Sequence, residues 1–468
     1  MIHPGLQAAL DAMRGAGVSD QAMAVFAMYH AQLQTGATGA IPEDSILPLT
    51  EVQDLSEVSV SEEQRRDALS RTAILKLNGG LGTSMGMTGP KSLVEVRDGL
   101  TFLDIVVRQV RRLRERYDVD LPLLFMNSFA TQSPTLEALR AYPDVQVRGL
   151  PVEIVQNREP KLTVDALAPV SCPDNPELEW CPPGHGDVYV SLLTSGVLDR
   201  LHEQGYEYLF LSNIANLGAT ADPDIAAWLH EERAPYVAEV AERTHNDRKG
   251  GHLAVRKSDG RLVLRDNGAV APGEMDHFQD IELHPTFHTN SLWVRVDRLH
   301  ERLTATNGVL GLPMIANHKT VDPADRTSEP VIQIESAMGS AIEIFEGARA
   351  ILIPRTRFRP VKTTNELLLI RSDAYELTES FELASQIEGE DPFVDLGPCY
   401  TVLDHFAERF PKGAPSLRDC TTLRVRGDLT FGADVRCVAD VDVVADHPAV
   451  VPDGAVLTGS GHDVIEER

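Results

Sequence analysis

The densest chemical signal in this 468-residue chain is a run of glycines closed by a lysine. Between Leu75 and Val96 the sequence reads LKLNGGLGTSMGMTGPKSLVEV, with Gly79, Gly80, Gly82 and Gly86 following an apolar stretch that stops at Leu77. Glycines carry no Cβ, so successive N–H groups can converge on an anion. Lys91 then supplies a mobile positive charge, and the chemistry that fits is the grip of a phosphorylated ligand. Two familiar phosphate loops do not match. A P-loop needs Gly-Lys-Ser/Thr, whereas Pro90 separates Gly89 from Lys91. The dinucleotide fingerprint needs G-x-G-x-x-G, whereas the spacing here is Gly80-x-Gly82-x-x-x-Gly86. A second basic cluster, RTRFRPVK from Arg355 to Lys362, can focus an anionic substrate locally. One aromatic, Phe358, interrupts it, which is weak as a nucleic-acid surface.

These residues need a scaffold, and the surrounding pattern predicts one. TAILKLNGG from Thr72, PLLFMNS, PVEIVQN, YEYLFLSNIANL and YVAEVAE read as buried strands, and TFLDIVVRQVRRLRERY between them reads as an amphipathic helix. Strands alternating with helices predict a largely parallel sheet covered on both faces, with ligands at the carboxyl ends of the strands. Before it, DQAMAVFAMYHAQLQTG places Met23, Phe26, Ala27, His30 and Leu33 on one helical face, and SEEQRRDALSR is a second helix capped by Ser61 with Glu63 close behind. In the last 70 residues Val425, Leu429, Val435, Val441, Val444, Val451 and Val456 recur at short intervals between glycines and aspartates. That texture predicts a short β-helix of about three coils.

Composition narrows the class. Hydrophobic residues at 43% and charged residues at 24% exclude extensive disorder. The net charge of −27 argues against a general nucleic-acid binder, because phosphate contact needs a cationic footprint. No apolar run approaches the roughly 20 residues of a membrane helix. The N-terminus lacks the basic flank and apolar core of a signal peptide, and the five cysteines are scattered. The expectation is a cytoplasmic protein with no membrane or nucleic-acid partner.

The glycine segment, LNGGLGTSMG followed by GPKSL, resembles the signature of the eukaryotic-type UTP–glucose-1-phosphate uridylyltransferases, or UDP-glucose pyrophosphorylases. Further motifs of that family follow in order: QNREPKL, PPGHGDVYVSLLTSGVLDRL, DRKGGHL, FHTNSLW, LPMIANHKTVD and IPRTRFRPVKTTNELLL. The resemblance implies an α/β fold. A helical segment (1–71) precedes a doubly wound, Rossmann-like nucleotidyltransferase domain (72–372), and a linker with a C-terminal left-handed β-helix (373–468) follows. It implies attack of a sugar 1-phosphate on the α-phosphorus of UTP, giving a UDP-sugar, most simply UDP-glucose, and pyrophosphate. Little covalent work falls to such a protein, which must align two polyanions and neutralise charge.

Carried over motif by motif, Leu77, Asn78, Gly79 and Gly80 would lie against the nucleotide, and Gly82 and Thr83 would face the triphosphate. Lys91 and Lys362 would be the catalytic cations. Gln156 would read the uracil edge, since a primary amide offers donor and acceptor, and Gly184 would let the base approach. His185 would donate to the sugar phosphate, Asn213 would touch the sugar nucleotide, and Asp266 and Asn290 would face the sugar. The family also implies Mg²⁺ as cofactor and allows self-association through the C-terminal domain. Three positions depart from the pattern. Ala215 stands where the family aspartate, the usual magnesium ligand, belongs; His288 and Ser291 replace two asparagines; Asp266 replaces a glutamate. These departures leave open a member specialised for another sugar 1-phosphate, or a weakly active or inactive sugar-nucleotide-binding protein.

Overall fold

A computed structural model describes residues 3–36, 39–147, 149–244, 247–323, 325–459 and 466–467. Its centre is an eight-stranded sheet. The strands are β1 (Gln53–Asp54), β2 (Thr72–Asn78), β3 (Leu123–Asn127), β4 (Glu153–Val155), β5 (Tyr208–Asn213), β6 (Tyr236–Glu242), β7 (Thr286–Arg295) and β8 (Arg349–Leu352), in spatial order β1-β8-β6-β7-β5-β2-β3-β4. All pairings are parallel except those of β7, which runs antiparallel to both β5 and β6. The sheet is largely parallel, as expected, with one antiparallel strand at its middle. TFHTNSLWVR mixes polar and apolar residues without the continuous apolar run that marked its neighbours.

Alternation along the strands covers both faces. Leu75, Leu209, Leu211 and Leu292 enter one apolar cluster, while Ile74, Phe210 and Trp293 enter another. All seven residues of β2 are buried, so full burial of each large apolar side chain there contributes about 1.5–3 kcal/mol. The N-terminal helices form as expected. α1 (Pro4–Gly15) and α2 (Asp20–Gln34) share a small core with Leu162 and Ile332, with Phe26 and Tyr29 inside. Ala27 and Leu33 are only partly covered. α3 (Glu62–Ser70) starts at Ser61, whose hydroxyl accepts the Gln64 N–H while the Gln64 side chain accepts the Ser61 N–H. That capping box uses Gln64 rather than Glu63. Glu63 is one residue too early to reach back.

Beyond residue 390 the strands stack in parallel, apart from Glu466–Glu467, which runs antiparallel to Ala449–Val451. β9 (Phe393–Asp395), β10 (Ser416–Arg426), β12 (Arg436–Val444) and β14 (Val456–Gly459) form one ladder, with Leu423 opposite Val441 and Arg436 opposite Val456. β11 (Leu429–Phe431) pairs with β13 (Ala449–Val451) on a second face. Two of the predicted inward valines are displaced by one position: Val443 and Leu457 are buried, whereas Val444 is half-buried and Val456 is 49% exposed. A one-residue slip turns a strand side chain to the opposite face, and the irregular registers of these ladders set that slip. The apolar cluster on one sheet face continues through Leu367, Tyr375, Tyr400 and Phe406 into these strands, so both regions share a core. Among the described residues no helix is long and apolar enough to cross a membrane.

Candidate active site

The glycine loop leaves the carboxyl end of β2 beside the end of β5, where Asn213 pairs with Leu77. A short antiparallel bridge between Leu81 and Pro90 closes it, and the Lys91 N–H donates to the Gly80 carbonyl at 3.2 Å. Lys91 is thereby pinned beneath the glycines. Its ammonium then donates to the main-chain carbonyl of Lys362 at 3.2 Å, and the Ser84 hydroxyl donates to the same oxygen at 3.0 Å. Two lysines 271 positions apart in the chain therefore meet at one strand tip. Burial holds the Lys91 ammonium below the usual lysine range, with Glu366 opposing that shift and Lys362 adding to it. Glu366 is engaged elsewhere, accepting from the N–H and hydroxyl of Thr363 at 2.7 Å each in the capping box of the helix Thr364–Arg371. Lys362 disfavours the charge on Lys91, and an incoming anion would relieve that repulsion.

The Lys362 segment is fixed from β5. The Val361 N–H donates to the Ala215 carbonyl at 3.0 Å, and the Arg359 N–H donates to the Asn216 side chain at 2.8 Å. Beneath lies a buried charged cluster that the sequence reading missed. Glu239 on β6, fully buried, accepts from Arg357 at 2.9 Å and from the Trp293 indole at 2.9 Å. Lys76 on β2 donates to the Ser212 hydroxyl at 2.7 Å and to the Ala219 carbonyl, and burial lowers its pKa to about 7. A charge embedded in each of the apolar strands AILKLN and YVAEVAE was the signal available. The same geometry corrects the basic-patch expectation. Arg355 pairs with Asp247, Arg357 with Glu239 and Asp222, and Arg359 with Asp391. These three guanidiniums are neutralised inside the fold, and no ion pair involves Lys362 among the described residues.

The other predicted residues sort by direction. The Gln156 amide lies against Gly79, where a Cβ would come within 3.0–3.2 Å of its atoms. The main-chain N–H of Gln156 donates to the Asn127 carbonyl at 2.8 Å. Among the described residues no hydrogen bond engages the N–H of Gly79 or Gly80. Gly82 and Thr83 differ from the expectation: their N–H groups donate to the carbonyls of Gly89 and Leu81 within the closed loop. Asn78 also departs. Its amide is buried, donating to Asn127 at 2.7 Å and Thr135 at 2.9 Å, so it braces the ends of β2 and β3. Leu77 points its side chain into the core and offers only main chain. Asn213 is exposed at the tip.

The sugar-side residues gather on a second wall. Gly184 has φ +77°, and a Cβ there would strike the Ser336 main chain at 2.6 Å. Asp187 accepts from the Asn157 N–H at 2.6 Å and the Ser191 hydroxyl at 2.7 Å, tying the Gln156 segment to this loop. Between them, His185 accepts the Met338 N–H on Nδ1 at 3.0 Å, so the neutral ring carries its proton on Nε2. Burial lowers its pKa, while Asp266 and Glu335 oppose that shift. Asp266 is exposed and beside Gly251, whose carbonyl accepts the His288 N–H at 2.8 Å; Asn290 follows two residues later. The structure thus assembles Lys91, Lys362, Gln156, Gly79 and Gly80 at one end, and Gly184, His185, Asp266 and Asn290 on the adjoining wall.

A family model described as UTP–glucose-1-phosphate uridylyltransferase matches residues 23–437. The chain belongs to that family. The uridylyltransferase of that name from Saccharomyces cerevisiae is 39% identical over 405 residues, covering 86% of this chain and 80% of its own. That from Solanum tuberosum is 37% identical over 423 residues, covering 89% and 84%. Among solved structures, a variant of UDP-glucose pyrophosphorylase from Leishmania major in complex with UDP-glucose superposes with a TM-score of 0.91 at 40% identity, covering 98% of each chain. Among the described residues no group of three histidine, cysteine or carboxylate side chains is placed to hold an ion, and Ala215 brings a methyl to the strand tip. Position 215 therefore supplies no oxygen ligand for magnesium, an ion held by one or two carboxylates together with substrate phosphates and water.

Proposed function

We propose that this chain transfers the uridylyl group of UTP to glucose 1-phosphate, forming UDP-glucose and pyrophosphate. A phosphate oxygen of the sugar attacks the α-phosphorus in line. The bond from that phosphorus to the bridging oxygen breaks, and pyrophosphate leaves with the electron pair. The observation that carries the reading is the meeting of Lys91 and Lys362 at the glycine loop, in a chain whose relatives bear this activity in their names. Both cations would neutralise the phosphates between which charge moves. Gly79 and Gly80 would donate to the nucleotide, Gln156 and Gly184 would receive the uracil, and His185 would donate from Nε2 to the sugar phosphate. Asn213, Asp266 and Asn290 would face the sugar.

In this reading magnesium arrives with the triphosphate as part of the nucleotide substrate, since the chain offers no carboxylate at position 215. The reading also divides the chain at residues 71 and 372, with a doubly wound catalytic domain between. It takes the C-terminal ladders as a left-handed β-helix through which copies self-associate; the parallel pairings Leu423–Val441 and Leu429–Ala449 support the coil. The test is pyrophosphate release from UTP and glucose 1-phosphate in the presence of magnesium, with UDP-glucose identified as product. Tight UDP-glucose binding without turnover would replace the reading with a sugar-nucleotide-binding protein, which Ala215 favours as the second reading. Turnover with a different sugar 1-phosphate alone would change the acceptor.

A further inference from the structure

Strand β7 is irregular where it passes the sugar wall. Its register against β6 shifts between the pairs Ala238–Leu292 and Val240–His288, so residues 289–291 bulge opposite Glu239 alone. Asn290, at the crest, has φ +59°, a left-handed conformation rare for any residue with a side chain. Asparagine tolerates it better than most, but something must still select it. Two hydrogen bonds do so. The Thr289 hydroxyl donates to the Glu239 carbonyl at 2.8 Å, and the Asn290 N–H donates to Nδ1 of His288 at 3.1 Å.

We propose that His288 is a positioning residue that sets the sugar side of the site by holding Asn290 in its left-handed bulge. The inference rests on the uridylyltransferase reading and names how its acceptor is held. The His288 main chain is held by its N–H donating to the Gly251 carbonyl at 2.8 Å, and the ring packs against Gly339, where a Cβ would come within 2.8 Å of Cε1. Nδ1 must accept, so the neutral ring carries hydrogen on Nε2, and among the described residues that buried nitrogen has no partner. Burial, with His185 adding to it, pushes the ring's pKa down to about 3, which keeps Nδ1 unprotonated and able to accept. His185, whose Nδ1 accepts from Met338, is the second imidazole on the same wall and is held in the same tautomer.

The requirement at position 288 is therefore an acceptor two residues before Asn290, not an imidazole. His288→Asn retains one in its side-chain oxygen, and His288→Leu does not. Equilibrium titration of the full chain with UDP and with UDP-glucose isolates the sugar contribution without needing turnover. The expected result is that His288→Leu loses about tenfold in UDP-glucose affinity with UDP affinity unchanged, while His288→Asn restores most of it. Leu binding both ligands as the wild type does, or losing both equally, overturns the proposal, as does failure of Asn to rescue. Wild-type protein that binds neither ligand overturns the uridylyltransferase reading, and this inference with it.

Discussion

Replacing Lys362 with methionine removes one charge and nearly nothing else. The side chain is exposed, and its backbone is held from three directions: Lys91 and Ser84 donate to its carbonyl, and the preceding Val361 N–H donates to Ala215. An exposed substitution of this kind changes stability by about 0.5 kcal/mol or less, a shift of roughly 1–2 °C in melting temperature. The catalytic loss is far larger. A hydrogen bond to a charged group contributes about 1.5–3 kcal/mol, which at about 1.4 kcal/mol per decade is roughly 10- to 150-fold. Donors set against developing charge reach about 10²–10³-fold. The expected result is a fall of about a hundredfold in kcat/KM for UDP-glucose formation, with circular dichroism and melting unchanged. Steady-state pyrophosphate release at varied UTP, beside a thermal melt, measures both. Activity within threefold of wild type would refute the argument that the two lysines are brought together to meet phosphates.

Other expectations follow from the same geometry. Gly79→Ala places a methyl within 3.0–3.2 Å of the Gln156 amide, so KM for UTP should rise about tenfold and discrimination against the other nucleoside triphosphates should fall, as competition assays would show. Asp187 is buried, and burial raises its pKa from 3.8 to about 6 against its hydrogen bonds to Asn157 and Ser191. The folded state thus binds the proton more tightly, and this contribution to stability is present at low pH and lost as pH rises to about 6. Denaturant melts of wild type and Asp187→Asn should therefore diverge across that window by up to about 3 kcal/mol, wild type losing ground as pH rises; parallel curves would contradict it. Ala215→Asp adds a carboxylate at the tip of β5 and should lower the magnesium concentration that gives half-maximal rate, read from a magnesium titration at fixed UTP.

The chain's own pattern determined much of this protein. Four closely spaced glycines and Lys91 after the apolar strand at Thr72, and strands alternating with an amphipathic helix, state a phosphate-binding α/β protein through local rules of backbone freedom and periodicity. Ser61 marked a helix start because capping is a local contact. What needed tertiary structure is long-range. The meeting of Lys91 with Lys362 depends on Ala215 and Asn216 docking the distant segment, and nothing in spacing along the chain encodes it. The arginines of RTRFRPVK read as a cationic surface until Asp247, Glu239, Asp222 and Asp391 closed on them. Asn78 and Gly82 sit in the signature, yet their polar groups turn inward, because burial obliges each to find a partner within the fold, while the exposed Thr83 gives its N–H to Leu81 inside the closed loop. The bulge that lifts Asn290 exists only where β7 meets β6, since a hydrogen-bond register belongs to two strands and neither carries it alone.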